Sequence, residues 1–142
     1  MDPIRESRVR HIFDNANFVR DLGLELTRIE DGACETVLVP AERHQQQHGF
    51  IHAAVLATMA DHTAGCAARS AVDLESDVIT IEFKINFLRP AVADQLRCRS
   101  QVLRAGRTIV ICESEVFARK NSEEKLVSKG IFTLAVKEES SS

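Results

Sequence analysis

Residues 52–68 read His-Ala-Ala-Val-Leu-Ala-Thr-Met-Ala-Asp-His-Thr-Ala-Gly-Cys-Ala-Ala, with seven alanines and no Lys, Arg or Glu. Small apolar side chains on every side of a run this long predict a helix meant for burial, ending near Ala71. Asp61 is the one acid in it. Taking a carboxylate out of water costs several kcal/mol unless it is paired or hydrogen-bonded. Asp61 is therefore read either as a site residue or as an edge residue facing solvent or an arginine.

Upstream, Ile4, Val9, Ile12, Phe13, Phe18, Val19 and Leu22 fall at helical spacing among charges, which predicts an amphipathic helix or helix pair over 3–22, interrupted near Asn15 to Asn17. Leu24 to Ile29 and Ala33 to Val39 flank Glu30-Asp31-Gly32 and read as a hairpin. A polar loop from Ala41 to His48 leads through Gly49 into the long helix. Downstream the period changes to two. Ile79, Ile81, Phe83, Ile85 and Phe87 alternate with Thr80, Glu82, Lys84 and Asn86, a half-buried strand stopped by Arg89-Pro90. Gln95 to Leu103, Thr108 to Phe117 and Leu126 to Val136 follow as strands, joined at Arg104-Ala105-Gly106-Arg107 and Asn121-Ser122-Glu123-Glu124. Short connections imply an antiparallel sheet of five or six strands, an α+β arrangement in which the sheet must wrap the helix. Exposed sheet edges favour pairing between subunits.

The chain has 142 residues, enough for one core. The expected division is an N-terminal helical segment at 1–22, the main domain at 23–137 and a polar tail at 138–142. A net charge of −3 argues against nucleic acid as the main partner, and the longest apolar run contains Asp61 and two histidines, which argues against a membrane span. No basic region precedes an apolar stretch at the start, so a cytoplasmic protein is expected. Cys34, Cys66, Cys98 and Cys112 are widely spaced among apolar neighbours and read as reduced core residues. His44, His48 and His52 are four apart, but Gly49 interrupts them and no fourth ligand is evident, so no metal is expected.

Gly49, His52, Ala53 and Ala54 surround the start of the long helix, where leading N–H groups lack intrahelical partners. Together with the helix dipole they can hold an anion or a developing oxyanion. Asp61 lies nine residues beyond His52, about 13 Å along the axis. One reacting atom cannot touch both. If both belong to one site, a second subunit must bring them together, which predicts a homo-oligomer with its site at the interface.

His48-Gly49-Phe50-Ile51-His52-Ala53-Ala54-Val55-Leu56-Ala57-Thr58-Met59-Ala60-Asp61, followed by Ile81-Glu82-Phe83-Lys84-Ile85-Asn86-Phe87-Leu88-Arg89-Pro90-Ala91, resembles the hotdog-fold acyl-CoA thioesterases of the phenylacetate-pathway (PaaI-like) type. The resemblance spans about residues 20–136. In that family His-Gly-Gly opens the central helix and an acid follows nine residues after the His; here Ala53-Ala54 stands for Gly-Gly. The resemblance implies an acyl-CoA substrate, no cofactor, and a dimer of dimers. It makes Asp61 the general base or nucleophile and the Ala53 N–H the oxyanion donor. Gln46 then orients substrate or water where the family usually has Asn. Thr80 stands near the catalytic water, and His52 orients the loop or touches the thioester. Gly49 and Ala54 border the substrate, and Arg89, Arg104 and Arg107 meet the phosphates of coenzyme A, with the Arg104–Arg107 turn first among them. Two alternatives accompany this reading: a hotdog dehydratase acting on hydroxyacyl thioesters, and an acyl-CoA binding module without catalysis. Taken alone, His52 also fits a helix-start residue bonding to the backbone, and Thr80 an ordinary strand residue.

Overall fold

The computed structural model describes residues 1–138. The chain begins with α1 (Pro3–Asp14), whose first turn is capped by Asp2 accepting from the Ile4 N–H at 3.0 Å, with Pro3 at a position where its missing donor costs nothing. Asn15 turns its side-chain amide back onto the His11 carbonyl at 2.8 Å and ends the helix. A short α2 (Asn17–Leu22) follows and stops at Gly23, whose φ of +92° is the left-handed cap. The expected interruption of the N-terminal helical segment thus falls at Asn15 and Ala16.

Six strands form one antiparallel sheet in the order β1-β2-β4-β5-β6-β3, with β1 (Glu25–Glu30), β2 (Ala33–Leu38), β3 (Ser76–Phe87), β4 (Gln95–Ala105), β5 (Ile109–Lys120) and β6 (Glu123–Glu138). The long helix α3 (Ala53–Arg69) touches all six. Its burial is nearly continuous from Val55 to Ala68, and Met59, Ala60, Ala64, Cys66, Ala67 and Ala68 are wholly inaccessible. Complete burial of a side chain such as Met59 contributes about 1.5–3 kcal/mol. Alanines permit close approach, so sheet polar groups reach the helix: Ser114 Oγ donates to the Ala60 backbone carbonyl at 2.8 Å, and the Thr36 hydroxyl bonds the Thr63 hydroxyl at 2.8 Å. All four cysteines are free and buried, and burial pushes the Cys66 and Cys98 thiols up to about 12 and about 11. They serve as small core residues.

The outer face of the sheet carries ion pairs across β2, β4, β5 and β6. Arg97 pairs with Glu35 at 2.6 Å and with Glu124 at 2.8 Å, and Arg99 pairs with Glu115 at 2.9 Å. Among the described residues no helix is long and apolar enough to cross a membrane.

One strand departs from the sequence pattern in a way that matters for the site. Thr80 pairs with Leu134 and Glu82 with Thr133, so Ile81 is an extra residue, a β-bulge. The alternation read from Ile79 to Phe87 is therefore broken. Thr80 shares the helix-facing side with Phe83 and Ile85, whereas Ile79 points the other way. Beyond the bulge Phe83 stacks on Phe132, centroids 5.1 Å apart. β3 is an edge strand, and Ile79, Ile81, Phe83 and Phe87 along it are exposed.

β6 packs closely on β3 at Gly130, where an added Cβ would sit 2.7 Å from the Lys84 carbonyl oxygen. Gly130→Ala is predicted to cost about 1–3 kcal/mol by forcing β3 away, read as a lower urea midpoint at unchanged slope. An unchanged midpoint would show that β3 is not held at this distance.

Candidate active site

Two clefts border α3, and each takes part of the residue set expected from the sequence. The first lies at the start of the helix. It has a volume of about 590 Å³ and is lined by Gln46, Ile51, His52, Ala53, Leu56, Phe87 and Arg89 among others. His52 is the N-cap: its backbone is extended and its Nδ1 accepts from the Ala54 N–H at 2.9 Å, while its own N–H donates to the His44 carbonyl at 2.8 Å. The Val55 N–H closes the first turn onto the His52 carbonyl at 2.9 Å, and the Gly49 N–H is spent on the Gln46 carbonyl at 3.0 Å. The donors grouped at this helix start therefore reduce to one. The Ala53 N–H alone has no partner among the described residues, and it stands at the positive end of the helix dipole.

Gln46 organises the lead-in loop. Its Oε1 accepts from the N–H groups of both His48 and Phe50, and its backbone N–H donates to the Phe50 carbonyl at 2.8 Å. Two converging donors require the oxygen on that side, so the amide NH₂ remains as a donor to offer a ligand. Gly49, φ +83°, allows the tight return. His44 is fully engaged: its Nδ1 accepts from the Ala41 N–H at 2.8 Å and its Nε2 donates to the Leu22 carbonyl at 2.7 Å.

The second cleft, about 340 Å³, lies two turns further along α3 and is lined by Asp61, His62, Gly65, Arg69, Val78, Ile79, Thr80 and Leu134. Thr80 Oγ1 donates to Asp61 Oδ1 at 2.7 Å. Only the bulge at Ile81 lets Thr80 face the helix while Phe83 does the same. Asp61 is half-buried, held by one oxygen, with Oδ2 left for another partner. His62 does not bond Asp61; its ring packs on Phe13, centroids 4.9 Å apart, and its Nε2 is buried without a partner. Burial, helped by the positive charge of Arg69, lowers its pKa to about 4, so it is neutral at neutral pH. Arg69 itself is tied to Asp77 at 2.6 Å. Sequence reading did not place Arg69 or His62 at this cleft, because tertiary packing alone brings the start of β3 beside the end of α3.

The clefts share no residue. Ala53 and Asp61 are eight positions apart, about 12 Å along one helix. Arg89 lines the first cleft, while Arg104 and Arg107 line neither. The ladder Arg104–Ile111–Thr133–Glu82 puts their turn in line with the Asp61 end of β3, the far end from Arg89.

A helix wrapped by a six-stranded antiparallel sheet, with a backbone donor at its start and a carboxylate two turns later, is the hotdog architecture of thioesterases. The Thioesterase superfamily matches residues 48–125, and the chain belongs to that family. It is similar to a thioesterase family protein of Silicibacter pomeroyi, 30% identical with a TM-score of 0.92 over 94% of this chain and 98% of that one. The PaaI protein from the phenylacetic acid degradation operon of E. coli shares the fold, with a TM-score of 0.82 at 18% identity over 92% of this chain and 91% of that one. Among sequence relatives, the 1,4-dihydroxy-2-naphthoyl-CoA hydrolase of Listeria monocytogenes is 24% identical over 116 residues, 82% of this chain and 92% of its own length.

His62 makes stability depend on pH with a defined sign. Its folded pKa of about 4 lies below the unfolded value of 6.5, so the unfolded chain binds the extra proton between them. Its contribution is complete above pH 6.5 and falls away as pH drops toward 4, by about 3 kcal/mol. Urea midpoints at pH 7 and pH 4.5 are predicted to fall further for the wild type than for His62→Leu. Equal falls would remove His62 from the acid sensitivity.

Proposed function

We propose that the protein is a cytoplasmic acyl-CoA thioesterase, hydrolysing the thioester to a free acid and coenzyme A at sites shared between two subunits. The observation that carries this reading is the division of labour along α3, with one free donor at Ala53 and one anchored carboxylate at Asp61, too far apart to serve one carbonyl. β3 runs past both clefts: Thr80 near its start lines the Asp61 cleft and Phe87 at its end lines the Ala53 cleft. Twofold antiparallel pairing of this exposed edge with the same strand of a second copy sets the start of one β3 against the end of the other. Each dimer then holds two complete sites, and a dimer of dimers is the assembly the family resemblance favours.

In such a site the thioester carbonyl oxygen accepts the Ala53 N–H, and the helix dipole stabilises the charge that develops on it. Asp61, fixed by Thr80, takes a proton from water as the hydroxyl adds to the carbonyl carbon. The C–S bond then breaks and the proton passes to the departing thiolate. Direct attack by Asp61, with water hydrolysing the resulting anhydride, uses the same geometry. The Gln46 amide is in place to orient substrate or water, and His52 holds the helix start. Ala54 spends its N–H on His52 and, like Gly49, lines neither cleft, contrary to the substrate-bordering role expected of both, so the methyl beside the donor is that of Ala53. The apolar wall of Ile51, Leu56 and Phe87 suits the acyl portion. Arg89 is positioned for the coenzyme A end, and the Arg104–Arg107 turn can meet it only from the partner subunit. The support for a coenzyme A thioester is the family resemblance together with the hydrolase relative of Listeria monocytogenes.

Asp61→Asn and Ala53→Pro are each predicted to lower kcat by about a hundredfold or more, measured as thiol release from a panel of acyl-CoAs. Proline deletes the donor but suits the first helical position, and the His52 ψ of 138° already fits a residue preceding proline. Urea midpoints close to wild type are therefore predicted for Ala53→Pro. A loss below about tenfold in either variant would take that group out of the chemistry.

A further inference from the structure

A third cleft, about 340 Å³, adjoins the helix-start cleft and shares Arg89 and Pro90 with it. Its other cationic walls come from the β5–β6 hairpin, Lys120 and Lys125, and Ala118 contributes to an apolar floor. One carboxylate, Glu123, lines it, and that acid meets Lys125 only loosely, at 4.0 Å with both side chains exposed. Nearby, Asp94 Oδ2 accepts from the Asn121 N–H at 3.3 Å and lies outside the lining.

Several cations elsewhere on the sheet are held by acids, although Lys84, Arg104 and Arg119 form no ion pair among the described residues. Arg97, Arg99 and Lys129 on its outer face each meet at least one glutamate. Arg89 and Lys120 form no ion pair among the described residues, although acids outnumber bases in the chain, 21 to 18. Three cations around an apolar floor, opening directly into the cleft that holds Ala53, match a ligand with clustered phosphates and a flat apolar ring, joined by a flexible arm to a thioester.

We propose that the cleft bounded by Arg89, Lys120 and Lys125 receives the phosphorylated nucleotide end of coenzyme A, with the pantetheine arm passing Arg89 to reach Ala53. The assignment rests on the thioesterase reading and adds Lys120 and Lys125 to the binding residues. It places the principal phosphate contacts on the subunit that supplies the oxyanion donor rather than on the Arg104–Arg107 turn.

The test compares one acyl group carried on coenzyme A and on pantetheine alone, in the wild type, Lys120→Ala/Lys125→Ala and Arg104→Ala/Arg107→Ala. The lysine variant should raise KM for the acyl-CoA by about tenfold and weaken its dependence on salt, with little change in kcat or in turnover of the acyl-pantetheine. A KM for acyl-CoA within twofold of wild type would overturn the proposal. So would an equal loss on both thioesters, or a loss confined to the arginine variant. Calorimetric titration with adenosine 3′,5′-bisphosphate separates this question from catalysis: binding by wild type, at least tenfold weaker in the lysine variant, supports the cleft even if no thioester is cleaved. Equal binding by both, or no binding by the wild type, counts against it. Failure of the wild type to hydrolyse any thioester would instead overturn the parent reading.

Discussion

A helix with no polar side has to be enclosed, and α3 is enclosed by one curved sheet whose six strands all touch it. Its alanines set the distance: the sheet comes close enough for Ser114 to reach the Ala60 carbonyl and for Thr36 to reach Thr63. Enclosure leaves the start of the helix, and one flank near Asp61, as the places where polar chemistry can meet solvent. The position of both clefts follows from that packing.

In the proposed reading, the same constraint leaves each chain with only half of a site. A single helix cannot bend its first N–H toward a carboxylate two turns later, yet the edge strand beside it passes both. The bulge at Ile81 is the local adjustment that makes this strand useful, since it lets Thr80 bind Asp61 while Phe83 continues the apolar face. At the other end, the capping bonds of His52 and Gln46 use up neighbouring donors and acceptors until the Ala53 N–H is left over. What this helix start can offer a ligand depends as much on which groups are already satisfied as on which are present.

Much of this was legible in the sequence. The alanine run, the Glu30-Asp31-Gly32 turn and the period of two after Val78 carry helix, hairpin and strands, because each is a local pattern answering to one packing face. Asp61 stood out for the same reason. The bulge was not legible, since Ile79, Ile81 and Phe83 satisfy a period of two whether or not the ladder slips. Nor was the placement of the arginines: Arg104 falls within β4, paired with Ile111, rather than in the turn expected from the sequence, Arg107 lies in the connection to β5, and which end of the sheet that connection occupies is set by register between β4, β5 and β6. Arg69 meets Asp77, and His62 meets Phe13, only through tertiary packing. Gln46 enters through the family resemblance, while its role as the acceptor that closes the loop depends on the backbone path through Gly49.

The claim on which the account stands is that Ala53 of one subunit and Asp61 of another act on the same carbonyl. Mixing inactive Asp61→Asn and Ala53→Pro chains, unfolding them together and refolding, tests it directly. Random pairing gives mixed dimers in half of the population, each with one intact site and one doubly defective site, so thiol release should recover to roughly a quarter of wild type. Sites contained within single chains cannot be restored in this way. A refolded mixture no more active than its separate components, with mixed dimers verified by mass, would contradict the account.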